Sequence, residues 1–131
     1  MPEAKILIVD DDTDFVLVTK TVLEHNGYEV VSAGTGNQGI TMLARENPQL
    51  VILDVIMSSV LDGFTMSRRM AEDPAFKDIP VIMVTSIANT DYSTLFPADE
   101  SVNINAFLTK PIKPADLIGK VKEILSERAK K

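Results

Sequence analysis

The sequence predicts an α/β fold: a doubly wound five-stranded parallel sheet with about five helices covering both faces. Three observations carry that expectation. Short apolar runs alternate along the chain with longer segments of helical period. The runs Ile6-Leu7-Ile8-Val9, Leu50-Val51-Ile52-Leu53 and Val81-Ile82-Met83-Val84 lack polar alternation, as strands buried on both sides do. Each run then ends in polar residues: Asp10-Asp11-Asp12, Asp54 and Thr85-Ser86, while a shorter run, Ala106-Phe107-Leu108, ends in Thr109-Lys110-Pro111.

The elements follow in order. Lys5–Val9 reads as a buried strand. Asp12 or Thr13 can cap a helix to about His25, with Phe15, Val18, Val22 and Leu23 on one face. Asn26-Gly27 stops it. Glu29–Ala33 is a second, more polar strand suited to a sheet edge. A helix from about Asn37 to Glu46 should bury Ile40, Leu43 and Ala44, and Pro48 closes it. Leu50–Leu53 is the third strand. After a loop over Val55–Asp62, a helix from about Gly63 to Glu72 turns Phe64, Ser67, Met70 and Ala71 inward, and Asp73-Pro74 ends it. Pro80–Val84 and Ala106–Leu108 are the fourth and fifth strands. Pro114 suits the first turn of a last helix to about Ala129, with Leu117, Val121, Ile124 and Leu125 inward. The intervening Ile87–Asn105 has poor apolar spacing and predicts a short or irregular helix. The methionines read as core filler.

A chain of 131 residues suits one domain, so 1–131 is read as a single unit. Its 45% hydrophobic content argues against disorder. With no cysteine, disulfides and thiolate metal sites are excluded, which is compatible with a reducing compartment. No apolar stretch approaches membrane-spanning length, and Met1-Pro2-Glu3-Ala4-Lys5 leads straight into a strand with no visible signal peptide. These points predict a cytoplasmic protein with no membrane association. A net charge of −6 repels phosphate backbones, so direct nucleic-acid binding is disfavoured. The basic cluster of Arg128, Lys130 and Lys131 reads as a solvated helix end that suits the helix dipole.

In an open doubly wound sheet, ligands bind beyond the carboxyl ends of the strands, where strand order reverses. With the flavodoxin-like order 2-1-3-4-5, Asp10-Asp11 and Asp54 meet at that point, Thr85 lies to one side and Lys110 comes from the strand beyond. Unpaired carboxylates about 4 Å apart repel by roughly 4 kcal/mol per pair at an effective dielectric near 20. Such a cluster needs compensation. Oxygen ligands without histidine or cysteine suit a hard cation, Mg²⁺ or Mn²⁺, and Lys110 adds a second positive charge able to hold a phosphoryl oxygen.

At this point the chain resembles the response-regulator receiver domain of two-component signalling, over about Lys5 to Leu125. The matching motifs are Ile-Val-Asp-Asp at 8–11, Leu-Asp at 53–54, Asp-Gly at 62–63, Val-Thr-Ser at 84–86 and Lys-Pro at 110–111. Each is weak alone; their joint order and spacing are specific. The resemblance implies that Asp54 takes a phosphoryl group from a phosphohistidine on a sensor histidine kinase or a histidine phosphotransferase. It implies that Asp11 binds Mg²⁺ directly, that Asp10 helps, and that Asp54 and the backbone carbonyl of Ile56 complete the protein's ligand set. Thr85 and Lys110 would stabilise the phosphoryl oxygens, with the small Ser86 leaving the site open. Thr85 and Phe107 would act as the switch, and the Lys110-Pro111 bond is expected to be cis. A downstream protein target would read the result.

The chain departs from the family pattern in places. The loop after Asp54 has Ser58 where a proline is usual and is one residue longer before Asp62-Gly63. Ile56 and Ile87 stand two residues beyond Asp54 and Thr85, where the family's side chains flank the path of hydrolytic water. Neither isoleucine can orient water, so a slow-decaying phospho-form is expected. Asp12 reads as a helix cap, Asp62-Gly63 as turn chemistry and His25 as a surface residue. Two other functions compete. A multiple-turnover aspartyl-phosphate hydrolase is disfavoured because its second aspartate would stand at Ile56. A phosphate-independent receiver-like interaction module is opposed by the intact Asp11, Asp54, Thr85 and Lys110 set.

Overall fold

The apolar runs Ile6–Val9, Leu50–Leu53 and Val81–Val84 become strands because their side chains can be buried on both sides only in a covered sheet, and two less buried strands flank them. The structure, a computed structural model, describes residues 4–54, 62–85, 106–110 and 112–129. Strands β1 (Lys5–Val9), β2 (Glu29–Ala33), β3 (Leu50–Asp54), β4 (Val81–Thr85) and β5 (Ala106–Thr109) lie in the order β2-β1-β3-β4-β5. Every neighbouring pair is parallel. The α/β class and the strand order are those the sequence predicts. Four helices stand among the described residues: α1 (Thr13–His25), α2 (Gly36–Glu46), α3 (Asp62–Glu72) and α4 (Pro114–Ala129). The helix expected within Ile87–Asn105 lies outside the described residues.

The period of two along each strand sorts the core into two layers. Ile6, Ile8, Ile52, Ile82 and Val84 face Leu23 of α1 and Leu117, Val121 and Ile124 of α4. Leu7, Val9, Val51, Leu53, Val81 and Met83 face Leu43 of α2 and Met66 and Met70 of α3. Each such aliphatic side chain contributes about 1.5–3 kcal/mol when fully buried, so both helical layers are held firmly against the sheet.

Helix boundaries follow local chemistry. Asp12, in extended conformation, caps α1 by accepting from the backbone N–H groups of Asp14 and Phe15. Gly27, with φ 93°, follows the end of α1. Thr35 caps α2 through the Gln38 N–H, and Asn47 ends it in the left-handed region at φ 51°.

Two expected core residues face solvent instead. Val18 is 60% exposed. The inward stripe of α1 runs through Phe15, Thr19 and Leu23 at steps of four, and Thr19, a polar residue, takes the buried position. Val22 is only half-buried. On α2, Ala44 is exposed because the stripe runs through Gly36, Gly39, Ile40 and Leu43. Gly39 sits at a close approach: a Cβ would lie 2.7 Å from Met66 Sδ and 3.0 Å from Val9 Cγ2, so the end of the Met66 side chain would have to shift. In α3, Ser67 and Met70 are buried and Ala71 half-buried as expected, Met66 joins them, and the Phe64 side chain lies outside the described residues.

Candidate functional site

The parallel register aligns the polar tips. Val9 pairs with Leu53, Asp54 with Val84, and Thr85 with Thr109. Asp10, one step past β1, therefore stands level with Asp54, and Lys110 follows directly on β5. The Asp10 N–H donates to Ala33 O at 3.0 Å, which extends the β1–β2 ladder by one bond. Its side chain is turned inward, where Oδ1 accepts from the Asp12 N–H at 2.8 Å.

The site gathers around the ammonium group of Lys110. Its Nζ lies 2.8 Å from Asp10 Oδ2, 3.7 Å from Asp54 Oδ2 and 3.8 Å from Asp12 Oδ2. The Phe15 ring centroid is 4.3 Å away. The side chains of Asp10 and Asp54 are 1% and 7% exposed, whereas Asp11 is open to solvent. Carboxylate oxygens of Asp10, Asp11 and Asp54 all lie within 4.8 Å of one another.

Charge is unevenly matched here. Among the described residues, one ammonium faces the carboxylates of Asp10, Asp12 and Asp54, with Asp11 beside them. Burial alone would pull the Lys110 ammonium toward neutrality. Its close polar contact with Asp10 and the charges of Asp10, Asp54 and Asp12 outweigh that and raise its pKa above the ordinary lysine value. Asp10 Oδ2 is buried and is held by the Lys110 ammonium at 2.8 Å. Clustered carboxylates and an all-oxygen donor set fit a hard divalent cation held by Asp10, Asp11 and Asp54.

The remaining sequence-derived candidates stand as follows. Thr85 ends β4 beside Lys110's strand, and Phe107 sits on β5 in register with Met83; both side chains lie outside the described residues. Ile56, Ser86, Ile87 and Pro111, and with them the cis-peptide expectation at Lys110-Pro111, also lie outside. Asp62 opens α3.

Two features escaped sequence reasoning. Asp12 caps α1 as expected but also turns its second oxygen toward Lys110, and Phe15 lends its ring face to the same ammonium. The available signal was the spacing from cap to Phe15, which puts both residues on the first turn of α1. The exposed Val18 has a local explanation too. With Phe15, Val22, Ile112 and Leu117 it lines a groove of about 460 Å³ between α1 and the start of α4, beside Lys110.

Comparison with known proteins agrees with this architecture. Residues 6–122 match the response regulator receiver domain, and the chain belongs to that family. The solved CheY-like response regulator receiver domain protein of Methanospirillum hungatei is 32% identical, with a TM-score of 0.83 over 96% of each chain. Protein PilH of Pseudomonas aeruginosa is 31% identical over 94% of this chain and 98% of its own length. A probable transcriptional regulator, ycf27 of Porphyridium aerugineum, is 30% identical over 95% of this chain but only 49% of its own length. The chain thus spans about half the length of the ycf27 relatives that it matches. No helix among the described residues is long and apolar enough to cross a membrane.

Proposed function

We propose that this chain is a phosphoacceptor. Asp54 receives a phosphoryl group from a phosphohistidine of a sensor histidine kinase or a histidine phosphotransferase, and the modified domain signals or relays through protein contacts. One observation carries the reading: the nearly buried Asp54 carboxylate lies 3.7 Å from the Lys110 ammonium, in a pocket shared with Asp10 and Asp11.

The chemistry is positioning plus electrostatics. An Asp54 oxygen forms a bond to phosphorus while the phosphorus–nitrogen bond breaks, and the imidazole leaves with that electron pair. Charge spreads over the three equatorial oxygens in the transition state. Lys110 takes one of those oxygens through its ammonium, and the Thr85 hydroxyl donates to another. Ser86 leaves room for the incoming group. Asp10, Asp11, Asp54 and the Ile56 carbonyl would hold Mg²⁺ or Mn²⁺, which would offset phosphoryl charge. Asp54 is regenerated only by hydrolysis or onward transfer, so the domain is a signalling part and not a multiple-turnover enzyme on external substrates. In the phosphorylated form Thr85 moves toward the new oxygens and Phe107 fills the space behind it, which re-shapes the surface for a protein target. The acidic charge favours protein partners over nucleic acid, and the reading places the reaction in the cytoplasm.

The test is direct. With Mg²⁺ and a small phosphodonor or beryllofluoride, the protein gains one group per chain, seen by mass or by chemical shift, and Asp54→Ala gains none. Multiple turnover of the donor would point to a hydrolase. No modification at all would point to a phosphate-independent interaction module.

A further inference from the structure

We infer that Phe15 is a positioning residue for Lys110, holding the ammonium over its ring so that the lysine meets a phosphoryl oxygen already in place. The inference rests on the phosphoacceptor reading above.

The ring centroid is 4.3 Å from Nζ, within the range where an aromatic face attracts a cation. It closes the last side of a cradle whose other walls are Asp10 at 2.8 Å, Asp54 at 3.7 Å and Asp12 at 3.8 Å. The ring itself is fixed by the helix start. Asp12 Oδ1 accepts from the Phe15 N–H at 3.1 Å, so cap and ring are set by one turn of backbone. With this cradle in place the Lys110 side chain is only 15% exposed, although it borders an open groove.

The choice of residue type has a chemical logic. A lysine stem is flexible, and without a wall on the groove side the ammonium would swing toward water. A fourth carboxylate as that wall would bind the ammonium strongly and compete with phosphoryl oxygens for its three donors. An aliphatic side chain would exclude water but attract no charge. An aromatic face attracts the cation without a directional acceptor, so the N–H groups remain aimed at oxygens on the Asp54 side. Phe15 thus acts through Lys110 and touches no reacting atom.

The experiment has two readouts. In metal-free protein, the ε-methylene and ammonium protons of Lys110 are shifted upfield by the ring current in proton NMR; Phe15→Leu abolishes that shift and Phe15→Tyr or Phe15→Trp retains it. With Mg²⁺ and a small phosphodonor, Phe15→Leu slows modification of Asp54 by about tenfold, equivalent to about 1.4 kcal/mol. The aromatic variants stay within about twofold of the parent rate, because their ring faces attract the ammonium as well or better. Three results would overturn the inference: no upfield shift in the parent protein, an undiminished rate in Phe15→Leu, or equal slowing in leucine and aromatic variants together with equally lowered urea midpoints. If the parent protein takes no phosphoryl group at all, the phosphoacceptor reading falls. The ring-current shift alone then upholds or overturns the hold of Phe15 on Lys110.

Discussion

Each end of the sheet sets a lysine among acids, and the two sets are balanced differently. At the amino ends of the strands, Lys5 Nζ lies 3.2 Å from Glu29 and 3.1 Å from Glu46, and the Lys5 N–H donates to Gln49 Oε1 at 2.8 Å. The partners are exposed by 47% and 25%, so water finishes what the lysine leaves undone. At the carboxyl ends, two of the carboxylates that Lys110 serves are only 1% and 7% exposed, and water reaches the pocket from the side of Asp11 and Asp12. The same residue types yield a tie between elements at one end and a partly buried acidic pocket at the other. Solvent access decides which.

Variants can break this contrast. The largest effect is expected from Asp54→Ala, which abolishes phosphoryl uptake by mass spectrometry, whereas Lys5→Met leaves uptake at the parent level. Next, Lys110→Met slows modification by on the order of 10²–10³-fold, the usual cost of deleting one preorganised electrostatic group; stopped-flow measurement with a small phosphodonor checks it. Third, Mg²⁺ at about 100 times its Kd stabilises the parent protein by about 2.7 kcal/mol, seen as a raised thermal midpoint. Asp11→Asn loses most of that gain and Lys5→Met keeps all of it. Fourth, Ile56→Asn hastens decay of phospho-Asp54 several-fold by giving water a polar guide, and unchanged decay would remove the case for a persistent phospho-form.

The smallest effect separates the two lysines by pH. Contacts with Glu46 and then Glu29 raise the pKa of Lys5, against a small opposing effect of desolvation. Burial lowers that of Lys110, but Asp10 more than reverses it. A raised lysine contributes stability that is complete below the unfolded value, about 10.4, and fades as pH climbs through the folded value. The contribution of either lysine to the urea midpoint should therefore be constant around neutral pH and fall in the alkaline range. Lys5→Met should flatten that fall slightly.

Much of the fold was legible because its determinants are local. The unbroken runs Ile6–Val9, Leu50–Leu53 and Val81–Val84 can be satisfied only by burial on both sides, and observed boundaries differ from expected ones by about one residue. Helix faces were less legible. Val18 was expected inward on hydrophobicity, yet Thr19 is buried in its place, since the roll of α1 is set by how Phe15 and Leu23 meet the sheet. The convergence of Asp10, Asp11, Asp54 and Lys110 could be anticipated from strand ends and strand order. The work of Asp12 and Phe15 could not. It depends on the angle at which α1 leaves the sheet, and three successive aspartates look alike until a backbone separates them. Nor does sequence reveal that Gly39 marks the place where α2 comes closest to Met66.

The lysine of the pocket directly follows β5, an outer strand and the last of the sheet in chain order. Without β5 and the residue that follows it, the other strands would hold the acids without this counter-charge. Addition of the final strand then relieves that repulsion, so completing the sheet and settling the electrostatics of its rim are a single event.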